Sequence, residues 1–363
     1  MIRFEPRSNV SSLFALALPI VAGITALVLA AIPIAAAGGE VFAAYGHIFK
    51  GAFGSKFALS ELLARATPLI FTGLAVSVAF RAKLWNIGAE GQLYVGALAA
   101  VAVGSGAISA PAYIMIPLIM LAGMIAGGTL MLVPTLLKTK LGADEVVTTL
   151  LLNFVVLLFV QMMLEGPMKD PMGMGWPQSE PMTSAATLPK MFPRMRIHWG
   201  LVIALVSAIV IYIMMKRSVW GFEIRATGEN VSAAKHAGIP VTSTFIKVGL
   251  ISGALAGLAG VSEVAGLKGY LTSDISPGFG YTGVVVAMLA GLSPVGVVIA
   301  AVFIAAVFVG ADSMSRAMGV SSYIADLVVA MSLICVLISS LFVRFKIRFV
   351  QPKKTPLAAK GEA

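Results

Sequence analysis

Residues 216–247, KRSVWGFEIRATGENVSAAKHAGIPVTSTFIK, lie between two strongly apolar runs, and their reading decides how the rest of the chain is understood. The pattern is that of a short polar helix held at a membrane face. Asn230 has the side chain of an N-cap, residues 231–237 supply two turns, Gly238 can close them in the left-handed conformation, and Pro240 prevents continuation. The small pair Ala233 and Ala234 allows another protein to approach the backbone closely. A docking helix with no chemistry of its own points to a membrane subunit driven by a partner.

Composition agrees. Of the 363 residues 59% are hydrophobic and 12% charged, with a mean hydropathy of +0.96, whereas soluble domains carry about 25% charged residues. The chain reads as a polytopic membrane protein. Cys335 is the single cysteine and lies in a late apolar run, so neither a disulfide nor a thiol pair for zinc is available. His47, His198 and His236 form no metal-binding spacing, and no metal site is expected. The net charge of +10 sits at the ends of apolar segments, where the positive-inside rule accounts for it without nucleic acid. No Gly-x-x-x-x-Gly-Lys-Ser/Thr loop occurs, so the chain is not an ATPase of that type. The first apolar run, from Ser11, exceeds the roughly 7–15 residues of a signal-peptide core and is read as an uncleaved span.

At about 20 apolar residues per crossing, an all-α transmembrane bundle of about ten spans is expected: 11–37, 59–80, 90–109, 112–136, 146–165, 199–215, 246–266, 278–292, 294–312 and 322–343. An even count places both termini on one side. With the termini (1–10 and the basic tail 344–363) assigned to the cytoplasm, 17 basic residues fall inside and eight outside, with Arg65 in a span. The 216–247 loop then faces the cytoplasm. The loop 166–198, with six prolines, faces outward as a stiff irregular cap. Its methionines suit packing or partner docking better than copper, since no Cys or His cluster accompanies them.

Two segments interrupt the apolar pattern: Leu84-Trp85-Asn86-Ile87-Gly88-Ala89-Glu90-Gly91-Gln92, and residues 273–283 with Pro277, Gly278, Phe279, Gly280 and Tyr281. Broken backbone at membrane depth must be buried in protein or line a cavity, and breaks in both halves point to a translocation path. Interfacial turns with packing glycines explain each break equally well. Trp85, Asn86, Glu90, Gln92, Asn153, Phe279 and Tyr281 are the candidate path residues, having the apolar faces and amide or hydroxyl groups that a small polar solute requires. Asp144 and Glu145 suit a helix N-terminus. Glu61 and Arg65, four residues apart, can pair on one helix face. Glu263, Asp312 and Asp326 lie near span ends and receive no role. Gly253, Gly257 and Gly260 permit close helix contact and sliding.

Together, the NIGAEGQ segment at 86–92, Gly142-Ala143-Asp144-Glu145-Val146 with Asn153, and Arg225-Ala226-Thr227-Gly228-Glu229-Asn230 with Ala233, Ala234 and Gly238 resemble the inner-membrane permeases of bacterial ABC importers. The chain is similar to the branch related to ribose and branched-chain amino acid permeases, and most closely to its nucleoside-type members. The resemblance implies import of a small polar solute, most readily a nucleoside, with a sugar as the alternative. It implies an extracytoplasmic solute-binding lipoprotein, a second permease subunit that is a copy or a paralogue, and an ABC ATPase subunit that uses ATP and Mg. The permease itself would bind no cofactor and perform no catalysis, and would sit in the bacterial cytoplasmic membrane. Glu229, Asn230, Ala233, Ala234 and Gly238 match the family's coupling helix. Where importers of the broader superfamily often carry Glu before the Ala-Ala pair, this chain has Ser232. A proton-coupled secondary transporter is the alternative from another class; it would want an unpaired carboxylate deep in a span.

Overall fold

The computed structural model describes residues 2–6, 12–106 and 108–349. The long apolar runs fold as helices bounded by capping and turn residues. The end of α1 (Ser12–Ala36) meets α2 (Val41–Phe53) at 118° across a Gly38-Gly39 turn. Ser55 caps α3 (Lys56–Arg81) by accepting from the Ala58 amide at 3.0 Å. After α4 (Ala89–Gly104) come α5 (Ala112–Leu136), α6 (Glu145–Glu165) and α7 (Gly200–Arg217), then α8 (Val219–Glu229) and α9 (Val231–His236). α10 (Val241–Glu263), α11 (Phe279–Leu289), α12 (Pro294–Met318) and α13 (Ser322–Arg344) complete the helices. α5 and α10 each end in a π-helical turn, Leu137–Leu141 and Val264–Lys268, closed by the left-handed Gly142 and Gly269.

The all-α expectation holds apart from one short ribbon. Strand β1 (Ile2–Pro6) pairs antiparallel with β2 (Phe345–Phe349), Ile2 opposite Phe349 and Pro6 opposite Phe345. This brings the two ends of the helical domain to one face. The other residues of the expected termini, 1, 7–10 and 350–363, lie outside the described residues.

The count of ten spans is not reproduced. Among the described residues seven helices are long and apolar enough to cross a membrane, or eight if the bent α1–α2 pair is one span. α4 has 16 residues and α11 has 11, about 24 and 16 Å at 1.5 Å per residue, against a hydrocarbon core of about 30 Å. Both are half-crossings buried among full-length helices. α2 falls in no expected span, because Tyr45, His47 and Lys50 dilute its apolar pattern.

Burial separates the core from the periphery. In the most apolar window of α3 89% of residues are buried and in that of α10 72%, against 22% in α6, which marks α3 and α10 as the centre and α6 as a surface helix. α10, α11 and α12 pack directly on α3 and α4 packs on α5 and α10, while α1, α2 and α13 gather on one flank around a second apolar cluster of Ala30, Ile34, Ala44, Met314 and Val328. α5 crosses α10 backbone to backbone. A methyl group added at Gly257 would overlap the Gly123 carbonyl, and one at Gly253 that of Gly127. Gly260 lies equally close to Leu93 on α4. Small residues at this spacing let two helices touch without side chains between them.

Two faces result. The end of α3 meets the 216–247 loop and the turn before α12: Gly228 packs on the Arg81 carbonyl, and Arg81 Nε donates to Leu292 O at 3.3 Å. A short turn returns α13 to this side, where it runs into β2. The 166–198 loop lies at the other face, with Ser179 N donating to Leu271 O at 2.9 Å and Thr183 N to Gly104 O at 2.8 Å. Sequence-distant loops are thus paired across this face.

Candidate functional site

On the face that bears the chain ends, the polar interlude forms two helices. α9 follows the capping scheme: Asn230 Oδ1 accepts from the Ala233 amide at 3.0 Å, Ile239 N donates to Ala234 O at 3.0 Å, and Gly238 is left-handed at φ +80°. Glu229, Asn230, Ala233 and Gly238 are exposed, and a Cβ on Gly238 would meet nothing within 4 Å. Ala234 is different, being 4% exposed and turned into the chain's own fold. Of the small pair, only Ala233 is presented outward.

α8 was not foreseen, although Ser218 signals it. The Ser218 hydroxyl accepts from the Gly221 amide at 3.1 Å, an N-cap one residue beyond α7. α8 ties α9 to the bundle. Gly228 is wedged on the end of α3, Lys83 Nζ donates to Glu229 O at 3.4 Å, and Lys247 pairs with Glu223 at 3.8 Å beneath the Trp220 ring.

From Lys83 the chain enters the first broken segment, whose polar groups are held from three sides. Asn86 and Gln92 exchange two amide hydrogen bonds of 2.9 Å each, and Asn86 Nδ2 also donates to Ser252 Oγ of α10 at 2.9 Å. Ser252 in turn donates to Ala75 O of α3 at 2.7 Å. Asn153 of α6 accepts from the Gly91 amide at 2.8 Å and donates to Ile87 O at 2.9 Å and to Tyr281 Oη at 3.2 Å. Glu90 accepts from the Gly280 amide at 2.6 Å, which ties the first broken segment to the second. Gly280 has to be glycine here, because a Cβ would run into the Glu90 backbone.

The structure thus brings Asn86, Glu90, Gln92 and Asn153 together, each 3% exposed or less, with Phe279 buried beside them against Phe308. Their hydrogen-bonding capacity is spent on one another and on the backbone, which is how broken helices are sealed in a membrane protein. Trp85 and Tyr281 remain at the rim, 42% and 38% exposed. Trp85 stands edge-on to Phe80 with centroids 4.6 Å apart, and its amide donates to Glu145 Oε1 at 3.3 Å.

Asp144 caps α6 by accepting from Val146 N at 2.8 Å and Val147 N at 3.3 Å, the helix-terminus role expected of it. Glu145 instead forms an ion pair with Lys138, which lies over the Phe245 ring. The Glu61–Arg65 pairing is not formed. Arg65 binds Asp312 at 2.7 Å and Glu61 binds Arg196 at 3.0 Å, since partners from α12 and the 166–198 loop reach these side chains. The polar run from Gly142 through Glu145 and Thr149 to Asn153 stands out in the sequence, but its contacts with the broken segment, and the part of Ser252 in the assembly, do not. Among the described residues no group of three or more His, Cys, Asp or Glu could hold a metal ion.

Comparison with known proteins places this arrangement. Residues 58–337 match the family model described as the permease component of the branched-chain amino acid transport system. A glucose ABC transporter permease protein of Haloferax volcanii is 35% identical, covering 95% of this chain and 93% of its own. A guanosine ABC transporter permease protein of Bacillus subtilis is also 35% identical, covering 93% and 96%. A nucleoside ABC transporter permease protein of Lactococcus lactis is 30% identical, covering 94% of each chain. No solved structure matches. The half-crossings, the capped arm on one face and the match over most of its length identify the chain as a member of the branched-chain amino acid transport permease family of ABC transporters.

Proposed function

We propose that this multi-pass permease subunit carries a nucleoside inward, with ATP hydrolysed by a separate subunit seated on α9. The observation that carries the reading is the mechanical continuity of the arm. α9 offers a capped, exposed surface, and α8 behind it is wedged on α3 through Gly228. Lys83 joins α8 to the broken segment, whose amides lock into α3, α6 and α10. A displacement of α9 is passed along this chain of contacts to the two half-crossings rather than dissipated in a loop. That is what alternating access by rocking of rigid elements requires.

Sidedness follows from charge. The face with the arm and the chain ends carries the excess of Lys and Arg, so both termini and the arm lie in the cytoplasm of a bacterial cell. The opposite face, where Met172, Met174 and Trp176 stand exposed on the 166–198 loop, receives the solute-binding lipoprotein. A second permease, copy or paralogue, completes the pathway. Nucleoside is favoured because a guanosine permease and a nucleoside permease are among the full-length relatives. A sugar is the second reading, since the glucose permease relative is equally identical.

The test is gentle solubilisation of the tagged chain from its native membranes, identification of what copurifies, and uptake of labelled guanosine and glucose by proteoliposomes of the recovered assembly. Copurification of a Walker-motif ATPase and a second permease, with ATP-dependent guanosine uptake, is expected. A solitary homo-oligomer without ATP-dependent uptake would refute the importer, and uptake of glucose alone would move the solute to the sugar class.

A further inference from the structure

A cavity of about 300 Å³ opens on the face opposite the arm, between the start of α3, the end of α10 and the loop that leads into α11. Its volume lies at the small end of the roughly 300–1,000 Å³ of small-molecule sites. One side is apolar, formed by Leu267, Ile275, Pro277 and Phe279. The other is charged, and most of its charges are already matched. Arg65 holds Asp312 at 2.7 Å, Arg196 holds Glu61 at 3.0 Å, and Lys268 stands 3.9 Å from Asp274.

Glu263, the last residue of α10, is left over. Its residue is 5% exposed, it lines the cavity, and among the described residues its Oε1 has no hydrogen-bond partner. A buried carboxylate oxygen without a donor is costly, and native proteins rarely leave one so. No described group supplies that donor, and the cavity that Glu263 lines is where one can be brought to its carboxylate. A cation is disfavoured, because Arg65, Arg196 and Lys268 line the same walls. A neutral molecule with adjacent donors suits the site: a carboxylate accepts two parallel hydrogen bonds, while the apolar wall takes a ring face.

We propose that this cavity is a solute site on the permease itself, in which Glu263 accepts a pair of adjacent donors from a neutral nucleoside-class molecule. The proposal rests on the importer reading above. The shared chemistry has two sources, the vicinal diol of the ribose and the N–H edge of a purine base.

The experiment uses the complete importer in proteoliposomes with Leu267→Cys on the cavity wall; the natural Cys335 is buried on α13. Maleimide labelling of the introduced thiol is timed with and without millimolar guanosine, 2′,3′-dideoxyguanosine, inosine, 2′,3′-dideoxyinosine or glucose, in the presence and absence of Glu263→Gln. Guanosine is expected to slow labelling, and Glu263→Gln to raise the guanosine needed by up to about tenfold, the scale of a lost buried hydrogen bond. An unchanged labelling rate without solute establishes that the variant is folded. Protection lost with dideoxyguanosine but kept with inosine assigns the diol, and the reverse assigns the base edge. Protection by glucose that depends on Glu263 supports the diol as the recognised group.

Equal protection with and without Glu263→Gln overturns the proposal, as does an unprotected thiol in a Leu267→Cys importer that transports guanosine. If the Glu263→Gln variant does not assemble, the solute series in the Leu267→Cys protein decides. Protection by 2′,3′-dideoxyinosine equal to that by guanosine then overturns the assignment. Absence of ATP-driven uptake in the unsubstituted importer is a separate result, which refutes the importer reading and the site with it.

Discussion

The bundle contains two buried polar assemblies that differ in one respect. Around Asn86, Gln92 and Asn153 the amide groups are matched by partners within the chain, and the residues are fully enclosed. Around Glu263 the ion pairs close on one another, and Glu263, which lines a cavity, is left with a carboxylate oxygen that has no hydrogen-bond donor among the described residues. Polarity inside a membrane protein is thus of two kinds. A saturated cluster holds helices together, and an unsaturated one waits for a ligand. The difference lies in the matching of donors to acceptors rather than in residue type.

That contrast can be broken at several points. The largest loss is expected where backbones touch. Gly257→Leu drives a side chain into the Gly123 carbonyl, and overpacking of this kind costs about 3 kcal/mol or more; size-exclusion chromatography in mild detergent should show aggregated protein only. Asn86→Leu takes the Asn86 partners from the Gln92 amide and the Gly88 N–H, and one donor from Ser252, whose hydroxyl keeps its bond to Ala75 O. At about 1–3 kcal/mol for each buried group left without a partner, the melting temperature should fall by several degrees, whereas Glu263→Gln should leave it nearly unchanged. The opposite ranking would exchange the roles of the two assemblies.

Acidification should weaken the cap on the face opposite the arm. His198 is buried beside Gly266, and burial pushes its pKa down to about 4. The unfolded chain takes up that proton from about pH 6.5 downward, so the stability held by the neutral ring is fully present above that value. It is lost progressively as pH falls toward 4. His198→Phe, which cannot be protonated, should flatten the dependence of melting temperature on pH across this window.

The smallest stability changes belong to the arm. Asn230→Ala removes a helix cap worth about 1 kcal/mol. Ala233→Trp lies on an exposed surface and should alter stability by less than about 0.5 kcal/mol, yet it should abolish recovery of the ATPase in pull-downs. Retention of the ATPase by Ala233→Trp would remove α9 from the interface. Ala234→Trp is not an equivalent probe, because it disturbs the chain's own packing.

What could be read from the sequence follows the range of the interactions. The α9 cap was legible because Asn230, Gly238 and Pro240 act within a few residues of one another. The close crossing of α10 was legible because glycine spacing repeats along one helix. The count of crossings was not, since apolar length alone cannot distinguish a half-crossing such as α11 from a full one, and α2 is too mixed to register. The polar segments 86–92 and 273–283 stood out, but their mutual hydrogen bonding depends on contacts such as Glu90 with Gly280, 190 positions apart. The Glu61–Arg65 expectation failed for the same reason: a local pairing rule cannot see Asp312 or Arg196. Glu263 acquires its meaning only after every neighbouring charge has found its partner.

The α5–α10 crossing bears on which parts of the permease can move. Both helices carry glycine at four-residue intervals, 123 and 127 against 253 and 257. A slide by one interval, about 6 Å, would press Ile119 or Met131 onto a glycine, so the interlock acts as a key in its slot rather than as a bearing. The glycine spacing suits both sliding and static packing, and the one-interval interlock favours the static arrangement. With Gly260 seated on α4 in the same way, α4, α5 and α10 are interlocked and shift as one block. Any stroke of the permease has to be taken up around that block, at joints such as Ser218 and the left-handed Gly142 and Gly269.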